Sequence, residues 1–277
     1  MNTFGETIRQ LRLSRSISQE DLAEGLFDRS TLSKIESDKV YPSRENANEM
    51  IFRLSLGLNE FEYVQKGYLP TKKSKILYEL LNLQTSTETD KIKKIIVDCS
   101  ATNDDDLKRI SLVLKALLLL NEKDGLEPAK KLVQPIWNDY LSKIKILTIT
   151  DICLLNMIAY AFDYETNKQI INKILYTINN YYPFLKSLKC SVLINLSNLH
   201  IDEENYQKAK DTLTQADKLA QEVGQYDKSL LCRSEIALCD QDYKQALYYA
   251  DLLNKIGAST VAQPLKEEIN NKQKLHN

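Results

Sequence analysis

The stretch Ser18-Gln-Glu-Asp-Leu-Ala-Glu-Gly-Leu26, followed after two residues by Arg29-Ser-Thr-Leu-Ser-Lys-Ile-Glu36, predicts two short helices joined by a turn. Ser18 and Asp21 have the spacing of a capping box at the start of the first helix. Asp28 occupies the N-cap position of the second helix. Apolar residues then recur at helical spacing in both segments, as Leu22, Ala23 and Leu26 and as Leu32 and Ile35.

The other side chains of the second segment point away from these apolar stripes and are small, polar or basic. They are Arg29, Ser30, Thr31, Ser33 and Lys34. Such side chains can bind base edges in the major groove of DNA, where arginine or lysine pairs with O6 and N7 of guanine. A solvated helix surface carries the same residue types, so this alternative stays open for each residue taken alone.

The composition predicts an all-α protein of about two domains. The chain has 277 residues, of which only 7 are Gly and 6 are Pro, so it offers few turns between strands. The net charge is −1, and residues 1–66 contain 9 basic and 11 acidic side chains. This balance counts against DNA binding, because domains that bind DNA are usually basic. Basic residues are nevertheless frequent near the start of the chain, where Arg9 and Arg15 are further candidates for DNA contact.

Several classes of function find no support in the sequence. Five cysteines lie scattered in apolar segments without a Cys-x-x-Cys pair, which predicts buried free thiols in a reducing compartment. The two histidines are far apart, and neither a glycine-rich phosphate loop nor a nucleophile–base pair is evident. We therefore expect no metal, no cofactor and no enzymatic activity. The sequence shows no signal-peptide pattern, and its apolar runs are far shorter than the ~20 residues of a membrane span. A cytoplasmic protein without membrane contact is therefore predicted.

The periodicity divides the chain into an N-terminal domain at 1–66, a linker at 67–75 and a helical domain at 76–277. Five helices are predicted before residue 67. Thr3 and Glu6 have the spacing of a capping box at the start of the first, and Ser43 caps the fourth. Residues 67–75 contain Gly, Pro and three lysines without apolar periodicity, which is typical of a linker. Helical hairpins are then expected at 76–99, 104–140, 149–180, 186–222 and 226–256, with a last helix near 260–274.

The last two hairpins resemble copies of each other. Asn205-Tyr-Gln-Lys-Ala209 and Asp242-Tyr-Lys-Gln-Ala246 share one frame at a spacing of 37 residues. The frame resembles the tetratricopeptide repeat (TPR), in which a small residue lets paired helices pack closely. Its period exceeds the usual 34 residues, and the earlier hairpins match only in helical pattern.

An array of paired helices forms a surface lined by the first helix of each hairpin. Polar side chains recur on these helices in apolar company, and we predict that they bind a peptide: Asn156, Tyr160, Asn195, Asn198 and Arg233. An asparagine amide both donates and accepts hydrogen bonds, which suits the backbone of an extended peptide. Helix capping or pairing with buried backbone is the alternative for the asparagines, and a core role is the alternative for the tyrosine.

Residues 4–56 resemble the lambda-repressor/Cro helix-turn-helix family. The resemblance lies in Phe4-Gly-Glu-Thr-Ile-Arg-Gln-Leu-Arg12, Ile17-Ser-Gln-Glu-Asp-Leu-Ala23, Leu32-Ser-Lys-Ile-Glu36 and Pro42-Ser43. It implies a buried ion pair between Arg12 and Glu36, and a DNA phosphate contact by Gln19. The joint before the third helix is one residue shorter than in the phage repressors, and Ser37-Asp38 stands where the family usually has a glycine.

The whole architecture resembles the Rgg-type branch of peptide-responsive regulators. This resemblance implies a homodimer on a palindromic DNA site, controlled by a short hydrophobic signalling peptide in quorum sensing. A helical-repeat scaffold that binds a regulator protein, with weak or lost DNA binding, is the alternative. The sequence specifies neither the peptide, the operator, the sign of regulation nor the effect of the peptide on oligomeric state.

Overall fold

The computed structural model describes residues 2–83, 88–100 and 103–276, and every regular element in these ranges is helical. The all-α prediction is therefore confirmed. The chain divides into two compact units, Met1–Lys75 and Ile76–Asn277.

Five helices surround the core of the first unit within its described residues: α1 (Phe4–Ser14), α2 (Gln19–Ala23), α3 (Arg29–Glu36), α4 (Arg44–Arg53) and α5 (Leu58–Gln65). Each contributes buried apolar side chains to one cluster, among them Ile8, Leu22, Leu32, Met50 and Phe61. The apolar stripes of the sequence thus become the shared core of a five-helix unit.

The helix starts in this unit follow the predicted capping patterns. Thr3 with Glu6 and Ser18 with Asp21 form capping boxes at α1 and α2, and Ser43 caps α4 by accepting from the backbone N–H of Asn46. Each box satisfies two backbone N–H groups that a helix start leaves unpaired.

Two local predictions around α2 and α3 need correction. Helix α2 ends at Ala23 rather than Leu26, because Gly25 adopts a φ of +70° that an α-helix cannot contain. Leu26 lies in the turn that follows, although it still packs against the core. Asp28 occupies the N-cap position of α3, but its side chain makes no capping hydrogen bond there.

Asp38 replaces the glycine expected after α3 and joins the ends of two helices. Its φ is +55°, in the left-handed region where aspartate is tolerated better than most residues. Its carboxylate accepts hydrogen bonds from the Gly5 backbone N–H, at 3.0 Å, and from the Thr3 hydroxyl. Gly5 allows this approach, since a Cβ on it would lie 2.0 Å from the Ile35 carbonyl oxygen.

The second unit is a succession of helices, most of which pack against the next helix along the chain. Its helices are α6 (Lys72–Leu81), α7 (Thr89–Ser100), α8 (Asp105–Leu120), α9 (Leu126–Ile136), α10 (Ile149–Ile158), α11 (Tyr164–Tyr181), α12 (Lys186–Asp202), α13 (Tyr206–Glu222), α14 (Tyr226–Cys239), α15 (Tyr243–Lys255) and α16 (Ser259–His276). A π-helical segment, Trp137–Leu141, extends α9, and a 3-10 turn, Ala159–Ala161, extends α10. Four predicted hairpins pair as expected: α8 with α9, α10 with α11, α12 with α13 and α14 with α15. Helix α6 begins at Lys72, inside the segment predicted as a linker.

The repeated frame of the last two hairpins has a structural role at each position. Asn205 and Asp242 are the N-caps of α13 and α15, and each side chain accepts from a backbone N–H three residues on. Ala209 and Ala246 are fully buried, which lets each second helix approach its partner closely. Three apolar clusters along the unit form its core.

Candidate DNA-binding and ligand-binding sites

Helix α3 has one buried face and one exposed face. Leu32 and Ile35 are almost fully buried in the core of the first unit. Of the residues predicted to contact bases, Thr31 is half-buried and the others are exposed: Arg29, Ser30, Ser33 and Lys34. Helices α2 and α3 pack on each other, so the exposed face of α3 has the geometry that a major groove can accept.

Arg12 of α1 and Glu36 of α3 form a bidentate ion pair inside the unit. The Arg12 Nε and Nη2 atoms donate to the two carboxylate oxygens of Glu36 at 2.6 and 3.0 Å. Both side chains are at least nine-tenths buried, and Nη1 of Arg12 donates to the Ile17 carbonyl at 2.9 Å. The hydrogen bond with Glu36 raises the pKa of Arg12, although burial opposes the shift. These two side chains join α1 to α3 and are not available to DNA.

Gln19, predicted to contact a phosphate, is hydrogen-bonded to this ion pair. Its Nε2 donates to Glu36 Oε2 at 2.8 Å, and its side chain is half-buried. The bond orients the first residue of α2 relative to α3. Since an amide nitrogen carries two hydrogens, phosphate contact by Gln19 stays a prediction.

The basic candidates differ in their surroundings. Arg29 Nε lies 3.6 Å from Glu20 Oε1, and both side chains are more than half exposed. Such an exposed pair contributes ~0–1 kcal/mol and can open readily. Arg9 is exposed on α1, and exposed Arg15 follows the last residue of that helix. DNA contact by each of them stays a prediction.

Arg53 has a structural role that sequence reasoning missed. Its Nη1 donates to the carbonyls of Leu22 and Glu24, at 3.2 and 2.5 Å, and its Nε pairs with Glu49. The carbonyls at the end of α2 lack helical partners, so an arginine from α4 satisfies them. A basic residue in the last turn of α4 was visible in the sequence, but its contact 31 residues away was not.

Helices α10, α12 and α14 are the first helices of their hairpins, and together with α16 they form one side of the second unit. We call this side the first-helix face. Asn195 of α12 donates from Nδ2 to Oδ1 of Asn156 on α10, at 2.9 Å. The bond brings together two of the predicted peptide contacts. It engages one polar atom of each amide, and a primary amide has further capacity to donate or accept.

Tyr160 and Asn198 border a large cavity on this face. Asn198 Nδ2 lies 3.4 Å from the Tyr160 hydroxyl, and burial raises the pKa of that hydroxyl. The cavity measures about 680 Å³, which is within the usual range of ligand pockets. Side chains of α12, α14 and α16 form most of its lining, including Glu235 and Lys272. Sequence reasoning missed Glu235, although an acid amid the apolar residues of α14 was a signal.

A second, smaller cavity of about 110 Å³ lies beside Asn195. Lys228 of α14 lines it and donates from Nζ to the Ser191 hydroxyl of α12 at 2.7 Å. Burial lowers the pKa of Lys228. Arg233 is turned to another partner, since its Nε forms a 3.1 Å salt bridge with Asp217 of α13. Its part in peptide binding stays a prediction.

The cysteines are reduced, and four of the five are buried. Burial raises the pKa of Cys153 to about 12. In the described part of the chain, no group of three or more His, Cys, Asp or Glu residues is arranged to hold a metal ion. Within the same residues, no helix combines the length and apolarity needed to cross a membrane.

Comparison with known proteins agrees with this geometry. Residues 8–51 match the helix-turn-helix family model, a segment that contains α2, α3 and the Arg12–Glu36 pair. No curated protein sequence matches the chain, so the comparison of the whole molecule depends on structure.

Three solved structures share the fold over nearly the entire chain. A candidate transcriptional regulator from Listeria monocytogenes EGD-e has a TM-score of 0.72 at 17% identity, covering 99% of both chains. The Streptococcus dysgalactiae SHP pheromone receptor Rgg2 has a TM-score of 0.66 at 17% identity, covering 98% of this chain and 100% of its own. Bacillus thuringiensis PlcR, solved with the peptide PapR7 and DNA, has a TM-score of 0.62 at 16% identity, covering 95% and 99%. The chain therefore has the fold of helix-turn-helix transcriptional regulators with a helical repeat domain, and the predicted resemblance is confirmed at the level of fold.

Proposed function

We propose that this protein is a sequence-specific DNA-binding transcriptional regulator, that α3 enters the major groove, and that the protein acts as a homodimer on a palindromic site. The observation that carries this proposal is the exposed polar face of α3 within a segment that matches the helix-turn-helix model. Residues 1–66 have more acidic than basic side chains, so one copy has little general attraction for DNA. Two copies on a two-fold site would double the contacts, which favours a dimer.

Selection from random double-stranded DNA by the full-length protein tests this function. We expect enrichment of a palindrome, with affinity falling steeply between about 50 and 200 mM salt. Lys34→Ala should weaken binding to the selected site by about 5-fold to 150-fold if Lys34 contacts a guanine. Lys66→Ala is the matched control, because Lys66 follows α5 and pairs with Glu62. Absence of any enriched sequence would rule out the proposal.

We further propose that a short peptide bound on the first-helix face controls this activity. The support is the pairing of Asn156 with Asn195, which lines the smaller cavity, together with Asn198, which lines the larger one. Amides at these positions can meet a peptide backbone. Solved relatives point the same way, since PlcR was solved with PapR7, and Rgg2 is a pheromone receptor. The expected ligand is a short hydrophobic peptide, and the biological role is quorum sensing.

Affinity selection from a pool of short synthetic peptides tests the ligand class. Wild-type protein should retain a defined subset, and Asn156→Ala and Asn195→Ala should each weaken its binding about tenfold, since each removes ~1–1.5 kcal/mol of hydrogen bonding. Asn180→Ala is the matched control, because this exposed amide of α11 donates to a carbonyl of its own helix. Undiminished affinity in both test variants would contradict the proposed contacts.

One observation favours a second function, that of a helical-repeat scaffold for a regulator protein. Residues 1–66 contain more acidic than basic side chains, and Arg29 of the exposed helix already lies near Glu20. The DNA selection above separates the two functions, because a scaffold would enrich no DNA sequence at any salt concentration.

A further inference from the structure

The large cavity of the first-helix face is acidic. Its lining contains four carboxylates and one cationic side chain: Asp202, Glu204, Glu235, Glu268 and Lys272. Lys272 Nζ pairs with Glu268 Oε1 at 2.6 Å, so its charge is largely used within α16. Three acidic side chains therefore face the cavity without a matching cation in its lining: Asp202 of α12, Glu204 of the following turn and Glu235 of α14.

Glu235 distinguishes this cavity from a patch of solvated surface acids. Its Oε2 is buried and has no hydrogen-bond partner, although its side chain lines the cavity. A buried carboxyl oxygen without a hydrogen-bond partner is unfavourable, so it marks a place where a ligand donor would be stabilising. The neighbouring Tyr160 hydroxyl and Asn198 amide, already bonded to each other, hold one wall of the cavity in place.

We propose that this acidic recess binds a cationic group of the ligand, either the N-terminal ammonium of a peptide or a lysine or arginine side chain, with Glu235 as its main partner. The inference rests on the proposed peptide-binding function and defines the chemistry of one end of the ligand. An ammonium or guanidinium supplies the missing donors to Oε2 and neutralises charge that Lys272 leaves unbalanced. An anionic ligand end would meet repulsion from the carboxylates here.

Binding of a cation should release a proton from Glu235. Burial, reinforced by the charge of Glu268 and opposed by Lys272, raises the pKa of Glu235 to about 8 in the empty cavity. The carboxyl group is therefore mostly protonated at pH 7, and a bound cation lowers its pKa. The other titratable groups of the lining are those of Tyr160, Asp202, Glu204, Tyr206, Cys239, Tyr243, Glu268 and Lys272, and the Cys232 thiol also lies near Glu235.

The sign of the pH effect follows from this linkage. A cation that stays charged over the whole range should bind about tenfold more tightly at pH 9 than at pH 7, because deprotonation is required only below the pKa of about 8. Butylguanidinium meets this requirement, and butylurea is a neutral probe of nearly the same shape.

Carbon-13 NMR of the glutamate carboxyl groups in the full-length protein tests the recess directly. Butylguanidinium should shift the Glu235 signal and lower its titration midpoint, whereas butylurea should do neither. Glu235→Gln should abolish both guanidinium binding and its pH dependence. Glu267→Gln, at an exposed position on α16, should leave both unchanged. Equal effects of the two probes, or unaltered binding to Glu235→Gln, would overturn the proposal.

The peptide pool separates this inference from the proposed function. Peptides retained by the wild-type protein should be enriched in a free rather than acetylated N-terminus, or in lysine or arginine, and Glu235→Gln should lose that preference. If the retained peptides show no such enrichment, the proposed role of the acidic recess is refuted, while the proposed peptide binding stands. Guanidinium binding without retention of any peptide would support the recess and refute the proposed ligand class.

Discussion

Removing the charge of Glu36 should sharply destabilise the first unit. Glu36→Gln leaves the Arg12 guanidinium buried without a counter-ion while nearly preserving the volume of the side chain. Breaking a buried pair from one side costs about 3–5 kcal/mol, here aggravated because Gln19 also loses a charged acceptor. At 1.4 kcal/mol per factor of ten, this corresponds to a decrease of about 150-fold to 4,000-fold in the protection of α1 and α3 amides.

Hydrogen exchange followed by mass spectrometry on the full-length protein measures this effect, with amides of the second unit as the internal reference. The double variant Arg12→Met/Glu36→Leu is the critical comparison, because replacing both charges with apolar side chains leaves no unpaired ion. Its α1 amides should recover most of their protection, since the half-exposed Gln19 can turn to water. A less than tenfold loss in Glu36→Gln, or a double variant as unstable as the single one, would refute the reasoning.

Three further predictions concern packing, capping and thiol reactivity. Gly5→Ala should destabilise the first unit by more than about 2 kcal/mol in exchange measurements, because its Cβ would overlap the Ile35 carbonyl. Gly57→Ala, whose Cβ would lie in open space, should cost at most the ~1 kcal/mol of an alanine at the N-cap of α5, and equal losses in the two variants would contradict the close approach. Ser18→Ala should lower amide protection in α2 by ~1 kcal/mol through loss of the capping box, and an unchanged exchange rate would show that water replaces the cap. Burial raises the pKa of Cys153 to about 12, so this thiol should resist iodoacetamide at pH 8 in the native protein and react in urea. Mass spectrometry measures the alkylation, and a rapid reaction in the native protein would contradict the burial of Cys153.

Much of the fold was predictable because helix starts and apolar stripes are local features. The capping boxes of α1 and α2 depend on residues three positions apart, and the structure contains both of them. The pairing of α12 with α13 and of α14 with α15 followed from a repeated frame. The end of α2 was missed because a single Gly25 with positive φ outweighed the apolar position at Leu26.

The candidate sites were predictable only in part, since a site depends on neighbours that are distant in sequence. Asn156 and Asn195 were predicted to line one surface because they lie on first helices of successive hairpins, and their hydrogen bond joins α10 and α12 on that surface. Nothing local indicated that Arg233 would pair with Asp217.

The sequence by itself determined the helices, their order and the residue types that α3 exposes, because periodicity and capping act within a few residues along the chain. Only the tertiary structure decided which polar groups are satisfied. Asp38 accepts a hydrogen bond from a backbone N–H at the start of α1, and Gln19 donates one to Glu36. An oxygen of Glu235 lies buried without a hydrogen-bond partner. Burial and charge at these positions depend on side chains that folding brings together from different helices, and the energy of a buried charge depends on those neighbours.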